Sequence, residues 1–320
     1  MNSSAAPQHR VWRPGRPVPL GAVLSSHRRG PGDPAHRVQE DGVIWRATRA
    51  ATGPALLRLQ ADAAAGEVHA HAWGEGAEWV LDGVPQLLGD HDDPGPFSPL
   101  PEHPKLVGAW RSRPHWRVTR SRAVFEALTA AALEQRVTGG EAHASWRALM
   151  LRYGDPAPGP AGVRGTFAAG MRLPLSPEQA LAVPSWAWLK LGVDLARRRV
   201  VLAAARVAGR LEQTLEIEGP DAGEQIAARL RTVPGVGVWT AAEIRQRAHG
   251  DADAFSWSDF HVARNVSWAL TGQVMDDAGC AEVIECYRGQ RYRVQRLLEL
   301  ARIARPRVAP RMTLPTHLPR

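Results

Sequence analysis

The stretch Leu230-Arg231-Thr232-Val233-Pro234-Gly235-Val236-Gly237-Val238-Trp239-Thr240-Ala241-Ala242 decides the reading of this chain. A helix has to stop ahead of Pro234, because proline has no N–H to give and pushes its predecessor into extended backbone. Two glycines then permit a tight reversal, and a second helix begins at once. A joint of this kind collects the backbone N–H groups of Gly235, Gly237, Val238 and Thr240 at a helix N-terminus. Those donors and the positive end of the helix dipole suit a phosphate oxygen. Glycine is expected at both positions because a Cβ would obstruct the turn and the close approach of a ligand backbone. A bare Gly-x-Gly fits many helix corners; the longer string is far more specific.

About twenty residues on stands Ser258-Asp259-Phe260-His261-Val262-Ala263-Arg264. Asp259 immediately precedes an amphipathic segment, where an aspartate commonly caps the helix. A capping role and a chemical role are compatible there. His261 and Arg264 lie on the following helix and read as residues that brace the Asp259 loop or pack on the core.

The rest of the chain arranges itself around these two segments. Residues 1–39 mix Pro, Gly and basic side chains without periodicity and read as a flexible basic arm. Residues 40–115 read as a small mixed α/β domain, with strands over 42–49, 55–59 and 68–73, a Gly turn near 66, and a short helix at 77–81 that runs into a loop. Beyond, apolar residues recur at helical spacing and residues 116–304 read as an all-helical body. Its stretches include a helix opened by Ser176 and Pro177 and others at 197–208, 223–232, 238–248, 260–270 and 291–303. Residues 305–320 form a Pro/Arg-rich tail. The fold class expected is therefore mostly α: a two-part helical body preceded by a small α/β unit.

Composition narrows the function classes. The 320 residues carry a formal charge of +8, and Arg far outnumbers Lys. Such an excess favours a polyanionic partner, since neutralised phosphates release counterions. Cys280 and Cys286 are the only two cysteines, too few for a four-thiolate zinc or iron–sulfur site and compatible with a reducing cytoplasmic compartment. No signal-peptide pattern and no apolar stretch of bilayer-spanning length is seen.

Hairpin and aspartate together resemble the helix-hairpin-helix (HhH-GPD) superfamily of base-excision DNA glycosylases, whose pattern places an Asp two residues before a His, then an aliphatic residue and an Arg. The resemblance implies a helical glycosylase body behind a TBP-like α/β domain, and a double-stranded DNA partner containing a damaged base. It also implies a monomer acting at the nucleoid and a catalytic role for Asp259. Cutting an N-glycosidic bond builds oxocarbenium character on the sugar, which a neighbouring carboxylate stabilises. Bifunctional members carry a Schiff-base Lys where this chain has Trp239, so strand scission is not expected. No cofactor is required and no iron–sulfur cluster is implied. Family members hold a monovalent cation on hairpin carbonyls, here those of Arg231, Val233 and Val236.

Within the superfamily, Gly237-Val238-Trp239-Thr240-Ala241 resembles the alkylation-repair (3-methyladenine glycosylase II) branch, as do Phe125-Glu126 through Val137, Leu191-Gly192 with Arg197-Arg198, and Tyr287-Arg288-Gly289-Gln290-Arg291. Bases alkylated at N3 or N7 are cationic and good leaving groups, so an aromatic pocket suffices to select them. Trp239 and Tyr287 are the candidate walls, with ordinary core packing as the alternative for both. Glu243 stands where a second aromatic is usual and either attracts a cationic base or marks another substrate. Gln135 and Arg136 occupy the wedge position, where the family commonly has an apolar residue; Arg136 either fills the gap left by the flipped nucleotide or faces solvent. Two alternatives stay open: a glycosylase for oxidised, deaminated or bulky lesions, and a DNA-binding protein without catalysis.

Overall fold

The computed structural model describes residues 6–306. Strand β1 (Gln8–Trp12) and a short helix α1 (Leu20–Val23) precede strands β2 (His36–Val38), β3 (Ile44–Ala50), β4 (Gly53–Asp62) and β5 (Glu67–Trp73). These form one antiparallel sheet in the order β1-β5-β4-β3-β2. The expected strands of the α/β unit are thus all present. So is the Gly turn: Asp62 Oδ1 accepts the N–H groups of Ala64 and Ala65, both at 3.0 Å, and Gly66 takes a φ of +66°. The segment after β5, expected as one helix and a loop, is α2 (Ala77–Asp82) followed by a further turn of helix, α3 (Val84–Leu87).

Residues 6–39 are not a free arm, and residues 1–5 of the expected arm lie outside the described residues. Gln8 through Trp12 pair with β5 from Ala72 back to Val68, while Leu20, Val23 and Leu24 are buried. Asp33 takes the Arg29 N–H at 2.7 Å, the Ala35 N–H at 2.9 Å and the Trp146 indole N–H at 3.0 Å. A five-residue edge strand of three polar residues followed by Val11 and Trp12 has no apolar alternation to betray it; its order comes from backbone bonds to β5. The expected tail at 305–320 lies outside the described residues from position 307 onward.

Helices make up the remainder: α4 (Pro104–Arg111), α5 (Val124–Glu134), α6 (Gly139–Tyr153), α7 (Pro177–Ala182), α8 (Ser185–Lys190), α9 (Leu195–Arg206), α10 (Ala208–Glu212), α11 (Ala222–Leu230), α12 (Val238–Ile244), α13 (Val262–Thr271), α14 (Asp277–Ile284) and α15 (Arg291–Leu300). Ser176 caps α7 and Thr138 caps α6, each in a reciprocal capping box. No helix among the described residues is long and apolar enough to cross a membrane.

The apolar cores cut the chain differently from its sequence order. Helices α5 to α12 bury their faces on one another, around Leu128, Trp146, Trp188, Val201 and Leu230. Helices α13 to α15 instead share a core with one face of the sheet, where Val266, Ile284 and Leu297 join Ile44, Leu57 and Leu59. The opposite sheet face, with Trp45, Ala47 and Leu56, is covered by residues from the segment between α6 and α7, such as Met171 and Leu173. The joint Val233–Gly237 belongs to the first core and the helix after Asp259 to the second. The candidate site therefore sits at the junction of the two.

Candidate active site

Helix α11 ends at Leu230, and Val236 N–H closes a turn on the Val233 carbonyl at 3.0 Å. Val233 and Val236 point inward and are buried, which leaves Pro234, Gly235, Gly237 and Val238 exposed. The sequence alternates anchor and glycine so that side chains hold the turn from beneath and bare backbone faces out. Gly235 has a φ of +87°, and a Cβ there would meet Val200 Cγ2 at 2.5 Å. Gly237 differs: its φ is −90° and a Cβ would meet nothing within 4 Å. Within this turn the backbone and packing require glycine at 235 and not at 237. The first bond of α12 runs from Ala241 N–H to the Gly237 carbonyl at 3.0 Å, so the N–H groups of Val238, Trp239 and Thr240 precede it. Thr240 contributes backbone only, since its side chain is buried and its hydroxyl accepts the Gln135 amide at 2.9 Å.

Gln135 ends α5 and also donates to the Gly235 carbonyl, at 3.0 Å. Its neighbour Arg136 is exposed, has a φ of +56°, and makes no ion pair or hydrogen bond among the described residues. Sequence reading placed these two residues together as wedge candidates; the structure divides the work. Gln135 is a strut to the hairpin, and Arg136 is the free side chain beside it.

Asp259 arrives through a loop anchored at Ser256. Ser256 Oγ donates to Glu243 Oε1 at 2.7 Å and accepts from Gln246 at 2.8 Å and Gln295 at 3.0 Å; its N–H donates to Gln295 Oε1 at 3.1 Å. One buried hydroxyl thus joins α12, α15 and the loop. Phe255 and Trp257 pack with tilted rings, centroids 4.3 Å apart, and Ser258 then reverses the chain at a φ of +66°. Asp259 Oδ1 accepts the N–H groups of His261 at 2.7 Å and Val262 at 3.0 Å, so it holds the start of α13, which begins at Val262, with His261 at the cap position, rather than at Phe260 as expected. Its Oδ2 has no hydrogen-bond partner among the described residues, so half of the carboxylate holds the helix and half is available.

Two of the expected pocket residues are elsewhere. Tyr287 is buried, its hydroxyl bonded to His103 Nδ1 at 2.6 Å and to the Leu100 N–H at 3.0 Å, with Phe97 against its ring. It joins the α14–α15 region to the segment before α4 and forms no wall. Burial also pushes its phenol above the ordinary tyrosine range. Glu243 is buried too, with Oε2 taken by Arg247 at 2.6 Å and Oε1 by Ser256. Burial alone would raise its carboxyl; the Arg247 charge and the Ser256 bond outweigh that and hold it below the usual glutamate range. Both its oxygens serve the loop anchor. Trp239, half-buried one turn before Glu243, is the aromatic candidate that remains.

His261 does not pack on a core: it is exposed, edge-on to the Phe260 ring at 4.8 Å. Arg264 braces Phe260 by lying 4.8 Å over its ring and donating to its carbonyl at 3.2 Å. Phe260 itself is 68% exposed beside Asp259. Sequence reading missed it, and missed Ser256 and Ser258, because a lone Phe and scattered serines carry no pattern. Of the three carbonyls expected to face a cation, that of Val233 already accepts Val236 N–H, while those of Arg231 and Val236 accept no backbone N–H outside the helices among the described residues.

No protein-family model matches the chain, and no curated protein matches it in sequence. Solved structures do. A 3-methyladenine DNA glycosylase from Archaeoglobus fulgidus superimposes with a TM-score of 0.67 at 17% identity, covering 91% of this chain and 98% of that one. An 8-oxoguanine glycosylase/lyase from Clostridium acetobutylicum, in complex with double-stranded DNA, superimposes with a TM-score of 0.64 at 12% identity, covering 93% and 98%.

Proposed function

Because the chain has the fold of the helix-hairpin-helix DNA glycosylases, we propose that it is a monofunctional DNA glycosylase of base excision repair, with Asp259 as its catalytic carboxylate. The observation that carries this reading is the divided carboxylate. Oδ1 is spent on the start of α13, Oδ2 is free of protein partners among the described residues, and the loop that carries the group is tied to α12, the helix after the glycine turn, through Ser256 and Glu243.

Each residue then has a task. Backbone N–H groups of Gly235, Gly237, Val238 and Thr240 hold a phosphate of the damaged strand at the positive end of α12. A monovalent cation on the hairpin carbonyls would add charge against the same phosphate, and those of Arg231 and Val236 accept no backbone N–H outside the helices among the described residues. Arg136 fills the space vacated by the extruded nucleotide. Asp259 Oδ2 faces the sugar as the bond to the base breaks, stabilising the oxocarbenium character that develops and positioning the water that ends on the sugar carbon. Trp239 stands where a Schiff-base lysine would be needed, so no amine attacks the sugar and the product is an intact strand with an abasic site.

For the substrate, the string from Gly237 to Ala241 favours bases alkylated at N3 or N7. These leave easily and need little more than an aromatic face, for which Trp239 and the exposed Phe260 are the candidates. A second reading rests on a specific observation. Where a second aromatic wall was expected stands Glu243, whose oxygens are held by Arg247 and Ser256; without that wall, selection by an aromatic sandwich has less support, and a glycosylase for oxidised, deaminated or bulky lesions is the second reading. Single-turnover base release from duplexes carrying one defined lesion each, wild type against Asp259→Asn, decides among the readings. Release of methylated bases that falls at least about 100-fold in the variant supports the first, and release confined to oxidised or deaminated bases the second. Duplex binding with no release by either protein leaves a DNA-binding protein without catalysis.

A further inference from the structure

Ser258 holds a left-handed backbone, φ +66°, directly before Asp259. A residue with a Cβ rarely rests there, and serine is not among those that visit it readily. Something must hold it, and the structure shows what does. The Ser258 N–H donates to Asp277 Oδ2 at 2.7 Å, across 19 residues of sequence. Asp277 is the first residue of α14, but it does not cap that helix. Capping is done by Asp276, whose Oδ1 accepts Gly279 N–H at 3.0 Å and whose carbonyl accepts Cys280 N–H at 2.9 Å. The Asp277 carboxylate is therefore free for the loop, and a bond from N–H to a carboxylate is among the stronger ones available.

The consequence runs through the backbone. On one side of Ser258 the chain is fixed by Ser256 and by the packed, tilted rings of Phe255 and Trp257. On the other side Asp259 presents one oxygen to the start of α13 and leaves the other without a partner among the described residues. Only the left-handed reversal at Ser258 joins the two. We infer that Asp277 is a positioning residue for Asp259, acting by holding Ser258 in its left-handed conformation. The inference rests on the reading of Asp259 as the catalytic carboxylate for its effect on rate, but the coupling of Asp277 to the Asp259 cap is a property of the free protein.

Two measurements on wild type, Asp277→Ala, Asp277→Asn and the double variant Asp277→Ala/Ser258→Gly test it. The first is amide hydrogen exchange at His261 and Val262, which reports the Asp259 cap without any substrate. The second pairs the single-turnover rate of base release with affinity for a duplex holding a tetrahydrofuran abasic analogue. Asp277→Ala is expected to speed exchange at both amides and to slow release about 10- to 100-fold, as a sub-ångström to 1 Å displacement does, with affinity changed less than about threefold. Asp277→Asn keeps an acceptor and recovers most of the rate. The double variant also recovers it, because glycine occupies the left-handed region without cost. Wild-type exchange and rate in Asp277→Ala overturn the inference, as does a loss that glycine at 258 fails to repair. If wild type releases no base yet the two amides respond as described, the enzymatic reading fails and the coupling stands.

Discussion

The side-chain amide of Gln135 donates to Thr240 Oγ1 at 2.9 Å while also reaching the Gly235 carbonyl at 3.0 Å. One residue at the end of α5 therefore clamps both arms of the glycine turn, and the next residue, Arg136, is carried out beside it. Gln135→Ala should loosen the turn and weaken duplex binding several-fold. Arg136→Ala should bind nearly as well but release base about tenfold more slowly. Placing the lesion in an unpaired bubble should restore most of that rate, since an unpaired base costs less to extrude. Titration and single-turnover assays on paired and bubble substrates check this.

The two glycines of the turn should fail in different ways. Gly235→Ala puts a Cβ at φ +87° and 2.5 Å from Val200 Cγ2, so it should destabilise the fold by about 1–3 kcal/mol. Gly237→Ala meets nothing within 4 Å inside the protein and should melt like wild type, yet lose affinity for duplex DNA. Thermal melts beside binding isotherms separate the two effects.

Removing one partner of the Glu243–Arg247 pair leaves the other charge buried alone. Arg247→Met should cost about 3 kcal/mol or more, read from urea unfolding at neutral pH. Glu243 sits below the ordinary glutamate range because Arg247 and Ser256 overcome its burial. Its contribution is therefore complete above that range and disappears as pH falls through its lowered native value. Wild type and Glu243→Gln should accordingly converge in stability at acid pH.

Histidines set a second acid dependence over a higher range. Burial, aided by Arg120 and Arg245, lowers His249 from 6.5 to about 3, and burial with Arg46 and Arg28 lowers His36 likewise to about 3. Between those values the unfolded chain binds protons that the folded one refuses, so stability rises with pH and is progressively lost from about pH 6.5 down to about pH 3. His249→Gln should reduce the slope of unfolding free energy against pH by up to about 1.4 kcal/mol per unit within that window. A pH series of urea melts gives the slope directly.

The hairpin, the capping aspartate and the strands β3 to β5 were legible because each rests on local chemistry: proline and glycine fix backbone, Asp accepts from free N–H groups, and alternation marks a two-faced strand. What was illegible is equally instructive. Tyr287 and Glu243 stood at positions that suggested a pocket, but local pattern is silent on what a side chain meets. Tyr287 meets His103, 184 residues away in sequence, and Glu243 meets Ser256 on the loop. The N-terminal strand escaped notice because its partner, β5, lies some sixty residues downstream.

The amino-acid order alone determined the turn, the helix that follows it and the carboxylate placed before the next helix, since those depend on allowed dihedrals and on donors a few residues apart. Only the folded chain decided which oxygen of Asp259 is free, which polar residues anchor its loop and which aromatics are left to face outward. Those are outcomes of two separate cores meeting, with α13 to α15 docked on the sheet rather than on their helical neighbours. Contacts between segments so distant are fixed by the competition for apolar burial across the whole molecule, which no window of sequence contains.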